Sequence, residues 1–187
     1  MKKYAVIFPG IGYHKDKPLL YYAGKLAQKA GYEIIHIQYH DLPEHVFGSN
    51  AALTQATETA YKQAEKQLRS AGISASDDTL LIGKSIGTVL AAKYASEHLP
   101  DARQILYTPL LPAFSFARLN ADSCIAFLGT ADTWSDVSMI RQTCEAQQIP
   151  LYLYPACNHS LECSDILRNL VYLREIMQIT SDYINQR

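Results

Sequence analysis

The sequence predicts an α/β fold, a three-layer sandwich around a mostly parallel six-stranded sheet. Two observations carry this. Six short apolar runs rich in Val, Ile, Leu and Tyr alternate with helix-like segments, which implies parallel strands joined by right-handed crossovers. The first run, Tyr4–Phe8, is continuous rather than alternating, as a strand covered on both faces requires.

After that strand, Pro18–Ala30 reads as a helix, with proline in its first turn and Gly31 as its stop. Ile34–Tyr39 is the second strand. Ala51–Ala71 is a long helix ended by Gly72. Thr79–Gly83 is the third strand, and Ile86–Leu99 a helix closed by Pro100. Arg103–Thr108 and Cys124–Gly129 are the fourth and fifth strands, Ser135–Gln147 a helix and Leu151–Tyr154 the sixth strand. The last helix starts near Ser164. Its Ile166, Leu170, Leu173 and Met177 fall at i, i+4, i+7 and i+11, which makes one apolar face. Only Pro109–Asp122 lacks a clear element. It reads either as a flap over a site or as a loop packed on the sheet edge.

The 187 residues suit a single domain spanning 1–187, long enough to bury a full core. A net charge of −1 offers no basic excess for phosphates, so nucleic acid is not an expected partner. No apolar run approaches the roughly 18 residues of a membrane helix, so no membrane is expected either. The opening MKKYAVIFPG holds too short an apolar run for a signal peptide and reads as the first strand. Cys124, Cys144, Cys157 and Cys163 form no C-x-x-C pair. The expectation is a cytoplasmic protein with free thiols and no cofactor. Oligomeric state is left open.

The stretch Gly83-Lys84-Ser85-Ile86-Gly87 admits two chemistries. Gly-Lys-Ser ends a phosphate-binding loop. That loop needs a glycine five residues before Gly83, where the chain has Asp78, and an open backbone where Thr79–Ile82 is an apolar strand. The pattern G-x-S-x-G is a serine nucleophile on a tight turn, and its required context of strand, turn and helix is present. Gly83 and Gly87 allow strand and helix to approach closely around Ser85. The N–H of Ile86 then points at an oxygen bound to Ser85. The plainer alternative has Ser85 as an ordinary helix cap.

A serine nucleophile needs a base and a group that orients it. The fifth strand runs into Gly129-Thr130-Ala131-Asp132, and the sixth into Pro155-Ala156-Cys157-Asn158-His159. Ser85, Asp132 and His159 thus follow three strand ends, at the edge where open parallel sheets gather their sites. Asp136 is the rival acid, expected in the first turn of the next helix. The second oxyanion donor is expected from the loop Pro9-Gly10-Ile11-Gly12-Tyr13, with the N–H of Ile11 preferred and Gly12 next. That loop also starts like a dinucleotide fingerprint, but Lys15 stands where the third glycine belongs. His36, His40 and His45, and Cys157, His159 and Cys163, cluster along the chain without matching zinc-site spacing, so no metal is expected. His36 is read as a satisfied strand histidine.

These residues resemble the α/β-hydrolase superfamily over nearly the whole chain. G-K-S-I-G at 83–87, G-T-A-D at 129–132 and N-H-S-L-E at 158–162 carry the resemblance. The last is similar to the histidine loop of small dienelactone-hydrolase-like members. The resemblance implies a minimal fold without a cap domain and a strand order of 2-1-3-4-5-6. It also implies a serine hydrolase acting on a small carboxylic ester or thioester through an acyl-serine, with Ser85 as nucleophile, His159 as general base and acid, and Asp132 as orienter. Pro9-Gly10 stands where the family has His-Gly. Gly12, Tyr13, Phe114 and Trp134 are candidate pocket residues, with His14 and Phe116 beside them. The alternative is a binding protein that keeps the fold without turnover.

Overall fold

The computed structural model describes residues 2–43, 46–116, 119–120 and 122–186. Its strands are β1 (Lys3–Phe8), β2 (Glu33–His36), β3 (Asp78–Lys84), β4 (Arg103–Tyr107), β5 (Cys124–Gly129) and β6 (Leu151–Tyr154). They form one sheet in the order β2-β1-β3-β4-β5-β6, and every neighbouring pair is parallel. The helices are α1 (Pro18–Lys29), α2 (Asn50–Ala71), α3 (Ile86–His98), α4 (Val137–Ala146) and α5 (Ile166–Asn185).

Strand alternation sorts the core into two layers. Ala5, Ile7, Leu80 and Ile82 face Leu20, Ala23 and Ala27 of α1 and Ile176, Tyr183 and Ile184 of α5. Val6, Phe8 and Leu81 face α2 and the inner side of α3. Leu106, Ala126 and Leu128 meet the start of α3 and Ile140 and Cys144 of α4. The helices begin at identifiable caps. The Ser49 hydroxyl accepts from the N–H of Ala52 at 3.3 Å, and Asp165 accepts from Arg168 at 3.1 Å. Gly72, at φ +68°, ends α2 in the left-handed conformation.

Three expectations need correction. The second strand stops at His36 rather than Tyr39. Beyond it the N–H groups of Gln38 and His40 bond the side-chain amides of Gln67 and Gln63 on α2, so those amides replace the ladder. His36 ends β2 and is exposed to solvent rather than enclosed by the strand. The apolar face assigned to α5 is half right. Leu173 and Met177 pack on the core beside Ile176 and Ile184, but Ile166 and Leu170 remain 76% and 60% exposed. Periodicity fixes a helix's phase; it does not say which of its turns lies over the sheet.

Candidate active site

Between β3 and α3 stands one residue, Ser85, at φ +57° and ψ −124°. Such a backbone costs a non-glycine residue about 1–3 kcal/mol and persists only where its surroundings hold it. The Ser85 N–H donates to the Tyr107 carbonyl at the end of β4, 3.0 Å away. The Ser85 carbonyl accepts from the Thr88 N–H at 2.9 Å and from the Thr88 hydroxyl at 2.6 Å. At Gly87 a Cβ would lie 2.1 Å from the Phe8 carbonyl oxygen, so only glycine lets α3 start against the end of β1. The Ser85 side chain makes no capping bond. Its Oγ lies 2.8 Å from Nε2 of His159.

The other two residues are held by each other's loops. The Ala131 N–H donates to the Cys157 carbonyl at 2.9 Å, and the Ala156 N–H donates to the Thr130 hydroxyl at 2.9 Å. Within the His159 loop, Asn158 Oδ1 accepts from the N–H groups of Ser160 and Glu162. The Asp132 side chain is fully buried. Its Oδ1 accepts from the Trp134 N–H at 2.8 Å, and its Oδ2 lies 2.7 Å from His159 Nδ1. A carboxylate only accepts, so Nδ1 carries the proton and Nε2 is left to accept from Ser85. Asp136 lies apart, capping α4 through the N–H of Met139 at 2.9 Å. The Trp134 ring stacks on His159, with centroids 5.5 Å apart.

Gly129 closes this arrangement. A Cβ there would lie 2.1 Å from the Cys157 carbonyl oxygen. Gly129→Val is therefore expected to push the His159 loop away from β5. The expected cost is about 1–3 kcal/mol of stability in urea unfolding. A shift of about 1 Å at His159 is expected to slow reaction at Ser85 about a hundredfold. Unchanged reactivity at Ser85 would show that this packing does not place His159.

Burial lowers the pKa of His159 below its usual value. The bond to Asp132 pulls it up, and the charge of Lys84 pushes it further down. Lys84 was not foreseen as part of the site. It is only 1% exposed, and its Nζ sits 4.9 Å from the centre of the Tyr13 ring. The Lys17 ammonium lies 5.1 Å from the same ring centre. Burial lowers Lys84 to about 7, against the upward pull of Asp132.

A cavity of about 200 Å³ adjoins Ser85 and His159. Gly12, Tyr13 and Trp134 line it, together with Ile11 and Ile86. Phe114 does not. It is buried in the layer beneath α3 and α4 with Leu110 and Ile140, because residues 110–116 turn their aromatic side chains into the core. Phe116 packs there too, and His14 lines a neighbouring cavity. Residues 117, 118 and 121 of that segment lie outside the described residues. Leu53 of α2 and Ser160 also line the Ser85 cavity, unforeseen. Ile86 opens α3, so its N–H has no partner within the helix. Gly10 and Tyr13 spend their N–H groups on each other's carbonyls. Among the described residues, the N–H groups of Ile11 and Gly12 have no such partner.

His45 lies outside the described residues. Among those described, no group of three or more His, Cys, Asp or Glu could hold a metal. All four cysteines are unpaired, and no described helix is long and apolar enough to cross a membrane.

No protein-family profile and no curated protein matches the sequence. Solved structures do match. A protein of the α/β hydrolase superfamily from Xanthomonas campestris pv. campestris superposes with a TM-score of 0.73 at 14% identity. The match covers 97% of each chain. This chain has the α/β-hydrolase fold. An α/β serine hydrolase without a lid, also from Xanthomonas campestris, matches with a TM-score of 0.61 at 18% identity, over 95% of this chain and 80% of that one. An esterase from Pyrococcus furiosus gives 0.59 at 13%, over 98% and 82%. The strand order above is the one the sequence resemblance implied for an α/β-hydrolase fold.

Proposed function

We propose that the chain is a serine hydrolase, one domain over residues 1–187, that cleaves a small carboxylic ester or thioester. The observation that carries this is the continuous path from Asp132 through His159 to Ser85, at 2.7 and 2.8 Å, beside a cavity with unspent N–H groups. In this reading His159 Nε2 takes the Ser85 proton as Oγ attacks the carbonyl carbon. The resulting oxyanion is held by the N–H of Ile86 and that of Ile11, with Gly12 the alternative second donor. His159 then protonates the leaving oxygen of an ester or sulfur of a thioester. Water, activated by the same nitrogen, releases the acid from the acyl-serine. Asp132 keeps the imidazole in one tautomer and stabilises its charged form.

A fluorophosphonate tests this directly. Mass analysis is expected to find the label on Ser85. The labelling rate is expected to rise with pH as His159 loses its proton, with a midpoint below 6.5, because burial disfavours the imidazolium. A midpoint above 6.5 would contradict the buried setting of His159. Absence of labelling would leave a binding protein that keeps the fold without turnover.

A further inference from the structure

The first two turns of α5 leave large aliphatic side chains uncovered, with Ile166 at 76% and Leu170 at 60% exposure. The same helix buries Ile176, Tyr183 and Ile184 further on, so the core does not need the earlier residues. Leu167 and Val171 on the same turns are 74% and 62% exposed as well, but lie outside the groove that Ile166 and Leu170 line. Ile166, Leu170 and Leu173 line a groove of about 300 Å³ together with Leu19 of α1 and Leu161, with Glu162 and Asn169 as its polar members. Tyr13 and Ser160 line both this groove and the cavity beside Ser85, so the two adjoin at these residues.

We propose that this groove holds the aliphatic alcohol arm of the ester. The inference rests on the serine hydrolase reading and adds the substrate class. Its orientation follows from the proton's path. As the bond from Ser85 Oγ to the carbonyl carbon forms and the carbon–oxygen bond to the alcohol breaks, the Ser85 proton passes through His159 to the departing oxygen. That oxygen must therefore lie next to His159. Ser160 and Leu161, which directly follow His159, line the groove. The acyl side stays in the small cavity near Ile11 and Ile86. Water then cleaves the acyl-serine, returning Ser85 and releasing the acid.

The test is hydrolysis of acetate esters from ethyl to hexyl, followed by acid release at constant pH. The wild type is expected to gain about twofold to fourfold in kcat/KM per methylene, as an apolar groove that buries each one would give. Leu170→Asp is expected to lower the hexyl-to-ethyl ratio at least tenfold. Leu167→Asp, exposed on the same turn but outside the groove, is expected to leave that ratio unchanged. A flat series overturns the proposal. So does an equal gain from lengthening the acid, ethyl hexanoate against ethyl acetate. So does a wild-type dimer that both variants dissociate in sedimentation, which would make this face a self-interface. If no ester is hydrolysed, the hydrolase reading falls on its own, and calorimetric titration with 1-hexanol then decides the groove. Binding weakened at least fivefold by Leu170→Asp keeps the apolar site; no binding removes it.

Discussion

Ser85→Ala is expected to lower kcat/KM on a short ester by at least about a thousandfold. The loss should fall on chemistry rather than on folding. The bonds that hold Ser85 at φ +57° are made by its backbone, through its N–H to Tyr107 and its carbonyl from Thr88. Alanine keeps all of them, keeps the Cβ and loses only Oγ. Its urea unfolding midpoint is therefore expected to stay close to the wild type. His159 keeps its 2.7 Å contact with Asp132 but has no hydroxyl to deprotonate. The variant should also take up no fluorophosphonate. Equal turnover by the variant would mean that another group attacks the ester, and the mechanism would fall with it.

Much of this was legible in the sequence, for physical reasons. β5 and β6 begin and end where their apolar runs do, because a strand covered on both faces excludes polar residues along its length. β2 is shorter than its apolar run for a related reason. Ile37 is apolar and buried, but its continuation toward Tyr39 is held by glutamine side chains of α2, a contact between residues about 30 positions apart that no local pattern records. The convergence of Ser85, Asp132 and His159 was legible because parallel topology carries successive strand ends to one edge. Their separations then followed from short loops, not from chance encounters across the fold.

The walls of the site were less legible. Tyr13 and Trp134 lie close in sequence to the strand ends that carry the site, and both line the cavity. Phe114 looked equivalent by composition, yet its segment turns inward against α4. Leu53 reaches the cavity from α2, far along the chain from any of the three central residues. Lys84 did leave a signal. Leu80, Ile82 and Lys84 alternate along one strand and so share its face toward α1 and α5. A lysine in register with two core residues, directly before the serine, marks a buried ammonium.

Lys84→Met is accordingly expected to stabilise the protein by about 2–5 kcal/mol at pH 6, measured by urea unfolding. Burial brings the Lys84 pKa from 10.5 to about 7, and among the described residues the ammonium forms no ion pair within 4 Å. The sign follows from proton binding. Below about pH 7 both folded and unfolded chains hold the proton, and the folded chain bears the full penalty of a buried charge. Between about 7 and 10.5 the unfolded chain holds more protons, so the wild type gains stability as pH rises. The advantage of Lys84→Met should shrink across this window and be lost above it. Taking the difference between the two proteins cancels the tyrosines and cysteines that titrate in the same range. The groups that act on Lys84 are Asp132, which favours its charge, and Lys17, which opposes it; Tyr13 presents its ring, and His159 feels the result. Removing the ammonium removes one of the influences that hold His159 low, so the midpoint for labelling Ser85 should move up in the variant. A stability difference that does not change with pH would mean that Lys84 stays charged in the folded protein. In that case methionine acts through packing alone.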